Sequence, residues 1–478
     1  MRSTCRALAL AAATLVPAAL VLAAPGAAAQ TLTEALARAY GTHPALQQLR
    51  AQLRQVDENV PQALSGWRPT VGVSVSGGGQ DSRSRALVRS FDIEALDFVS
   101  RGVTRHTERQ LLTSQLTVTQ PLFRGGRTVA GTRRAENLVL AQRARLLSQE
   151  QQVLGDSVSA FVNVILSQEL LRLRVNNEQV LSEQLRATNE RFRVGEITRT
   201  DVAQAESRLA QARALRSQAE GDLQTSRASY LRQIGTAPGQ LVAPQPLRPP
   251  VANAQEAAAA AATNNPAVIA LMFEEAAARD AVAIQISNLQ PQLSLQGQAF
   301  RFDNPNTQHT RLTGAQILAQ LTFPLYQGGA EYAVVRQARQ AATTARQQTE
   351  DQRREVSRVA TQAWEQLQSA RAQVESQRAA IRSSEIALDG VQREAIVGSR
   401  TTLEVLNAEQ ELLQNRTDLV RALATLVFQS YTLASSVGRL TAQDLGLAVE
   451  LYDMTAYYNV VRNRWFGLGD YSGEAERR

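Results

Sequence analysis

The sequence predicts a mainly α-helical chain that carries a pair of β-hairpins and is built as two internal repeats. Three observations predict it. The hexapeptide Pro121-Leu122-Phe123-Arg124-Gly125-Gly126 recurs as Pro324-Leu325-Tyr326-Gln327-Gly328-Gly329, an offset of 203. Each copy is followed by 67 residues without a proline, 128–194 and 331–397. Ahead of each copy the hydrophobic pattern alternates with period two, the period of a strand.

The duplication runs further. Val194-Gly195, Ala205-Glu206, Arg213 and Gly235 return at the same offset as Val397-Gly398, Ala408-Glu409, Arg416 and Gly438. Upstream, His43-Pro44-Ala45 is answered by Asn265-Pro266-Ala267, and Arg68-Pro69 by Gln290-Pro291, at offset 222. The first copy therefore holds 19 extra residues between Pro69 and Pro121.

In chain order, residues 1–29 read as a secretory signal peptide. Arg2 and Arg6 give a positive start, Ala7 to Ala24 is apolar, and Ala27-Ala28-Ala29 fits a cleavage site. Cleavage would remove the only cysteine, Cys5, and lower the net charge from +7 to +5. No thiol nucleophile, disulfide or Cys-ligated metal is then expected. Repeat 1 spans 30–237: a helix over Pro44–Leu64, a hairpin about 68–123, a long helix 128–194 and a return helix 200–234. A Pro-rich link, 238–252, leads to repeat 2 at 253–440. That repeat holds a helix over Pro266–Leu289, a hairpin about 290–326, a long helix 331–397 and a return helix 403–436. A belt segment and tail fill 441–478.

The strands alternate apolar residues with Ser, Thr and Gln: Val71, Val73 and Val75 in one, Ile317, Ala319 and Leu321 in another. That suits a barrel wall between lipid and a watery lumen. Two hairpins give four strands, and an open edge cannot be left in hydrocarbon. Four strands are too few to close, so the chain must oligomerise. The extra length of the first hairpin, Ser82–Thr107, is polar with five Arg and reads as a surface loop.

The return helices carry seams of mostly small and medium apolar residues at coiled-coil spacing. Val202, Ala205, Leu209, Ala212, Ala219, Leu223, Ser226 and Tyr230 form one. Val405, Ala408, Leu412, Asn415, Leu419, Ala422, Leu426, Gln429 and Leu433 form the other. Between each long helix and its return lies a tight turn. Gly195 and Gly398 end the long helices in the left-handed conformation. Thr198 with Asp201, and Thr401 with Glu404, read as capping boxes.

All 51 basic residues are Arg and alternate with Glu, Gln and Ala along helices, the pattern of solvated faces. Nucleic-acid binding calls for clustered cations instead, so none is expected. No nucleotide loop, metal cluster or triad appears, and no cofactor or enzymatic activity is expected. A hydrolase would rest on scattered acids such as Asp57 and Glu58, which read as a solvated helix face.

With these features in place, the chain resembles the TolC family of outer-membrane efflux ducts over roughly residues 31–445. The doubled order of the motifs carries that resemblance more than any single one. It implies a homotrimer whose twelve strands make one β-barrel in outer-membrane lipid. The helices would continue as a coiled-coil α-barrel tunnel into the periplasm. It also implies a mixed belt midway, to which Thr31–Tyr40, the Pro-rich link and Thr441–Leu468 are assigned. The implied function is the exit duct of a tripartite efflux or type I secretion system. A periplasmic adaptor (membrane fusion) protein and an inner-membrane pump of RND or ABC type would open it. Carried onto this sequence, the periplasmic gate falls on Asp201, Arg400 and Glu404. Adaptor docking falls on the tip turns at Gly195, Thr198, Gly398 and Thr401. Asn407 stands where many members carry a second acid, and Ala395 where some carry a gate Tyr. A structural trimeric coiled-coil surface protein is the alternative, but it has no use for two hairpins per chain.

Overall fold

In the first copy the helices α1 (Leu32–Thr42), α2 (Pro44–Asp57) and α3 (Asn59–Leu64) lead into strands β1 (Thr70–Asp92) and β2 (Asp97–Arg124). Then come α4 (Arg127–Arg193) and α5 (Arg199–Ile234). The second copy runs α6 (Ala254–Asn264), α7 (Pro266–Ser287), β3 (Gln292–Asp303), β4 (Arg311–Thr322), α8 (Ala330–Ile396) and α9 (Thr402–Ser436), and a short α10 (Ala456–Val461) follows. This computed structural model describes residues 30–94 and 96–475. The signal-peptide reading of 1–29 lies outside them.

Helices α4 and α8 are each 67 residues long. At 1.5 Å per residue each spans about 100 Å. The return helices fold back along them. On α5 the buried residues include Ala205, Leu209, Ala212, Ala219, Leu223 and Tyr230, which are seam residues of the sequence pattern. On α9 only part of the expected seam is buried, namely Val405, Leu412, Ala422 and Leu433. A second buried stripe with Leu406, Val427 and Tyr431 lies beside it. Helix α9 packs against both α8 and α4, and a helix held between two neighbours buries two faces.

The thickest core lies midway along α4. Leu36 from α1, Leu154 and Phe161 from α4, Tyr230 from α5 and Leu440 beyond α9 meet there. The buried Glu150 carboxylate accepts the Ala442 N–H at 2.7 Å and ties the 440–450 segment to α4. Gln30 bridges Leu241, which fastens the Pro-rich link to the same region.

The expected helix over 44–64 is broken. Helix α2 ends at Asp57 and α3 begins at Asn59. Pro61 has no N–H to donate to the Asp57 carbonyl, which removes the bond that would continue the helix. The second copy has Ala283 in the equivalent place, and α7 runs unbroken for 22 residues. Helix α6 was not expected. It is the counterpart of α1, and its alanine run gives no periodic size pattern to read. Ala257 and Ala261 are buried against α8, where the absence of larger side chains lets the backbones approach.

All four strands form one antiparallel sheet in the order β1-β2-β3-β4. The two hairpins are joined by β2 and β3, with a bulge between Pro121 and Phe123. One face carries Val71, Val73, Leu116, Val118, Leu293, Leu295, Ile317 and Leu321, as the cross-strand pairs require. The other carries Ser74, Gln115, Thr117, Gln296, Gln298, Gln316 and Gln320. Gln296 Nε2 donates to Gln320 Oε1 at 2.9 Å, and Gln316 Nε2 to Gln298 Oε1 at 2.7 Å.

The surface-loop reading of Ser82–Thr107 is corrected. These residues continue the β1–β2 ladder, with Arg83 opposite His106 and Phe91 opposite Phe98. A charged stretch suggests a loop, but Arg83, Arg85 and Arg89 fall on one face of β1 with Leu87 and Phe91, and a solvated ladder accommodates both. Beyond Leu112 the first hairpin has no β3 partner and stands above the sheet as a two-stranded ribbon. Ile93, Glu94 and Leu96 lie at its turn, between the ends of the two strands.

Candidate functional site at the helical tips

The two helical hairpins end in turns of the same construction. Gly195 has φ 82 and Gly398 has φ 81, a conformation that costs glycine little. Gly195 N–H donates to the Phe192 carbonyl at 3.0 Å, and Glu196 N–H to that of Arg191 at 2.9 Å. Gly398 N–H donates to Ala395 at 3.2 Å, and Ser399 N–H to Glu394 at 3.0 Å. Paired bonds of this kind close a helix C-terminus.

The next helix starts at once. Thr198 Oγ1 accepts the Asp201 N–H at 3.4 Å, and Asp201 Oδ2 accepts the Thr198 N–H at 3.0 Å. Thr401 Oγ1 accepts the Glu404 N–H at 3.4 Å, and Glu404 Oε2 accepts the Thr401 N–H at 2.9 Å. Both boxes spend the acid on the backbone. The Thr198 hydroxyl and N–H hold the Asp201 carboxyl below its ordinary range. The Thr401 N–H, then Arg400, do the same for Glu404.

Arg400 donates to Glu394 at 2.8 Å and to Glu404 at 3.0 Å. Those two acids raise its pKa, Glu394 first. Within one protomer the structure therefore brings Arg400 and Glu404 together, while Asp201 caps its own turn. Val194, Ile396 and Val397 are exposed at the same turns, so each tip presents apolar knobs among charges.

Sequence reasoning missed Arg208. Its guanidinium reaches from α5 to Asn407 Oδ1 at 3.2 Å and also to Gln410 Oε1 on α9. Asn407 thus accepts a bond between the two return helices. Arg213 and Arg416, paired by the duplication, play parallel roles. Arg213 reaches back to Glu178 on α4 at 3.3 Å, and Arg416 to Glu385 on α8 at 2.8 Å. Their equivalence was legible in the sequence, but their partners were not, because helix pairing sets them. Among the described residues one trio, Asp81, His106 and Glu108, has metal-ligand spacing, but it is exposed on the ribbon, far from the tips.

A family model described as outer membrane efflux protein matches residues 34–236 and again 257–439. The chain belongs to the outer membrane efflux protein family. The outer membrane efflux protein BepC of Brucella suis biovar 1 (strain 1330) is 34% identical over 450 residues, which is 94% of each chain. The outer membrane protein TolC of Vibrio cholerae is 23% identical over 403 residues, 82% of this chain and 90% of that one. Among solved structures, the Campylobacter jejuni CmeC outer membrane channel superposes with a TM-score of 0.73 at 14% identity. It covers 90% of this chain and 89% of that chain, a likeness of fold. As an outer membrane efflux protein, the chain is a transport duct and not an enzyme. Its sheet belongs to the membrane, and its long helices extend into the periplasm.

Proposed function

We propose that three copies close one 12-stranded barrel and serve as the exit duct of a tripartite efflux or type I secretion system. The observation that carries this reading is the sheet. Among the described residues, strands β1 and β4 each leave one edge unpaired, while the sheet's apolar face is exposed. An open edge in hydrocarbon costs several kcal/mol for each unsatisfied backbone group, so the edges of neighbouring copies must pair. A coiled-coil surface fibre gives that face nothing to do. Native mass measurement in detergent tests the assembly. A trimer is expected, and a monodisperse monomer with intact β signal overturns it.

A periplasmic adaptor docks at the tips, where Val194 and Val397 flank the turns at Gly195, Thr198, Gly398 and Thr401. An inner-membrane pump of RND or ABC type supplies the energy. In the closed ring the gate is held where neighbouring tips meet. There Arg400 exchanges Glu394 for Asp201 of the adjacent copy. Exposed pairs of this kind contribute little each, which lets an adaptor open them. Arg400→Ser is expected to raise single-channel conductance in a planar bilayer while leaving Tm nearly unchanged. Asp201→Ala should act likewise, and the double variant should be less than additive, since both remove one link. Wild-type conductance in both single variants would reduce these residues to helix caps.

The ribbon turn with Ile93, Glu94 and Leu96 faces the cell exterior, because both hairpins leave and re-enter long helices on the periplasmic side. A peptide tag inserted after Glu94 should be detected on intact cells. Detection only after permeabilisation would reverse the topology.

A further inference from the structure

The segment after the belt does not hang free. The assignment of Thr441–Leu468 to the belt is corrected: only the part up to Met454 packs on the midway core, and the rest climbs along the helical layer toward β1, stapled as it goes. The Tyr457 hydroxyl donates to Glu58 at 2.9 Å, and Arg462 pairs with Glu136 on α4 at 3.0 Å. Arg68, two residues before β1 begins, donates to the Arg464 carbonyl at 2.7 Å. The Arg68 guanidinium also lies 4.9 Å from the centre of the Trp465 ring. At the top the chain turns through Gly467, whose φ is 135. A Cβ there would collide with the Tyr471 hydroxyl, so the turn is shaped around that side chain. The climb ends with its largest apolar groups outward. Trp465 is 63% exposed, Phe466 is 89% exposed and Leu468 is wholly exposed.

A segment stapled at Tyr457, Arg462 and Arg464 that delivers Trp, Phe and Leu into water at the foot of a membrane strand needs a covering partner. We propose that Trp465, Phe466 and Leu468 form a second membrane contact, seated among glycerophospholipids of the inner leaflet of the outer membrane. Two observations select lipid. First, the tip is continuous with the lipid-facing band. Arg68 sets it at the base of β1, level with Trp67, which Gln120 of β2 holds by a 2.8 Å bond to its carbonyl. Phe123 at the base of β2, and Phe323, Leu325 and Tyr326 just after β4, are exposed at the same edge of the sheet. Aromatic side chains gather where acyl chains meet headgroups, with their polar ends toward water. Second, cations stand beside the apolar tip, with Glu58 and Asp470 as the acids near them. Arg68 and Arg464 flank the tip, and Arg464 lies 3.6 Å from the centre of the Tyr471 ring. Cations beside a shallowly buried apolar group suit a phosphate surface. The tip adds to the hold of the barrel by fixing the height and tilt of the helical layer under the membrane.

This inference rests on the outer-membrane reading of the sheet, and the test separates the two. The chain has three tryptophans, Trp67, Trp364 and Trp465. A Trp67→Phe/Trp364→Phe variant leaves Trp465 as the sole emitter. A control removes all three to Phe and adds Val73→Trp on the lipid face of β1. Intact oligomers of each are reconstituted in phosphatidylcholine vesicles, with and without bromine on the upper acyl chain. Both are expected to lose most of their emission in brominated lipid. Quenching of the Val73→Trp control without quenching of Trp465 overturns the inference, since the tip then lies in water or under a neighbouring copy. If neither is quenched, the membrane reading fails and the inference falls with it. Should the double variant assemble poorly, the unaltered chain and its Trp465→Phe variant answer by difference. The quenchable share of emission must shrink when Trp465 is removed, and an unchanged share overturns the proposal.

Discussion

Raising the pH from about 5 to about 8 is expected to destabilise the natural chain more than Asp57→Asn, which keeps Glu150 and Glu409, two other acids whose pKa burial raises. Asp57 sits at the end of α2 and is only 1% exposed. Neither of its carboxylate oxygens has a hydrogen-bond partner among the described residues. It lies beside the small core of Val60, Ala135 and Val139, with Val56 and Tyr458 packed on it. Burial pushes its pKa from 3.8 up to about 7. Arg143 on α4 opposes that rise most, Glu58 adds to it and Arg54 opposes it weakly.

The sign follows from proton binding. Between about 4 and about 7 the folded carboxyl keeps its proton while the unfolded one releases it. The stability is full below the unfolded value and declines as the pH climbs. It is gone once the pH has passed the folded value. The whole window corresponds to about 4 kcal/mol per chain, of which about 3 falls between pH 5 and 8. Apparent Tm of the oligomer in detergent, taken at both pH values, checks this. An identical pH response in Asp57→Asn would assign the effect to other groups.

Placing a charge on the apolar face of the sheet should have the other large effect. Ile317 lies halfway along β4, opposite Gly297, and is exposed in the protomer. An Arg at the middle of a lipid-facing strand costs about 2–4 kcal/mol per chain, and the cost recurs in every copy of an assembled barrel. Ile317→Arg should therefore prevent stable assembly. Its neighbour Gln316 points to the opposite face, where it bonds to Gln298. Gln316→Arg should assemble normally and change only what passes through the lumen. The yield of heat-modifiable oligomer in the outer-membrane fraction separates the cases. Equal yields would mean that the face carrying Ile317 does not meet lipid.

These two residues also mark how far the sequence reaches. Ile317 was legible, because strict alternation assigns a side chain to one of two faces once a strand is recognised. Asp57 was not. A carboxyl at the end of an amphipathic helix reads as solvated, and its burial comes from the packing of α2 on α4, which also sets Arg143 near it. The break after Asp57 could have been read from Pro61, but the long apolar-periodic stretch outweighed it.

The tips divide in the same way. Gly195 and Gly398, and the capping boxes of Thr198 and Thr401, are local devices whose bonds close within a few residues, so the spacing alone specified them. Arg208 and Asn407 meet across two helices, and their register depends on how α5 and α9 pack. The preference of Arg400 for Glu394 over Asp201 within one chain likewise depends on where the second turn lies relative to the first.

By itself the sequence determined the duplication, the lengths of the long helices, the two faces of the sheet and the need for more than one copy. Each is fixed by period, proline placement or backbone hydrogen-bond accounting, which act over short stretches of chain. The tertiary structure alone decided the second buried stripe of α9, the ribbon above the sheet, the burial of Asp57 and the path of the last residues up to Arg68. Those depend on contacts between segments far apart in the chain, where the identity of the neighbour, and not the local pattern, sets whether a side chain meets water, protein or lipid.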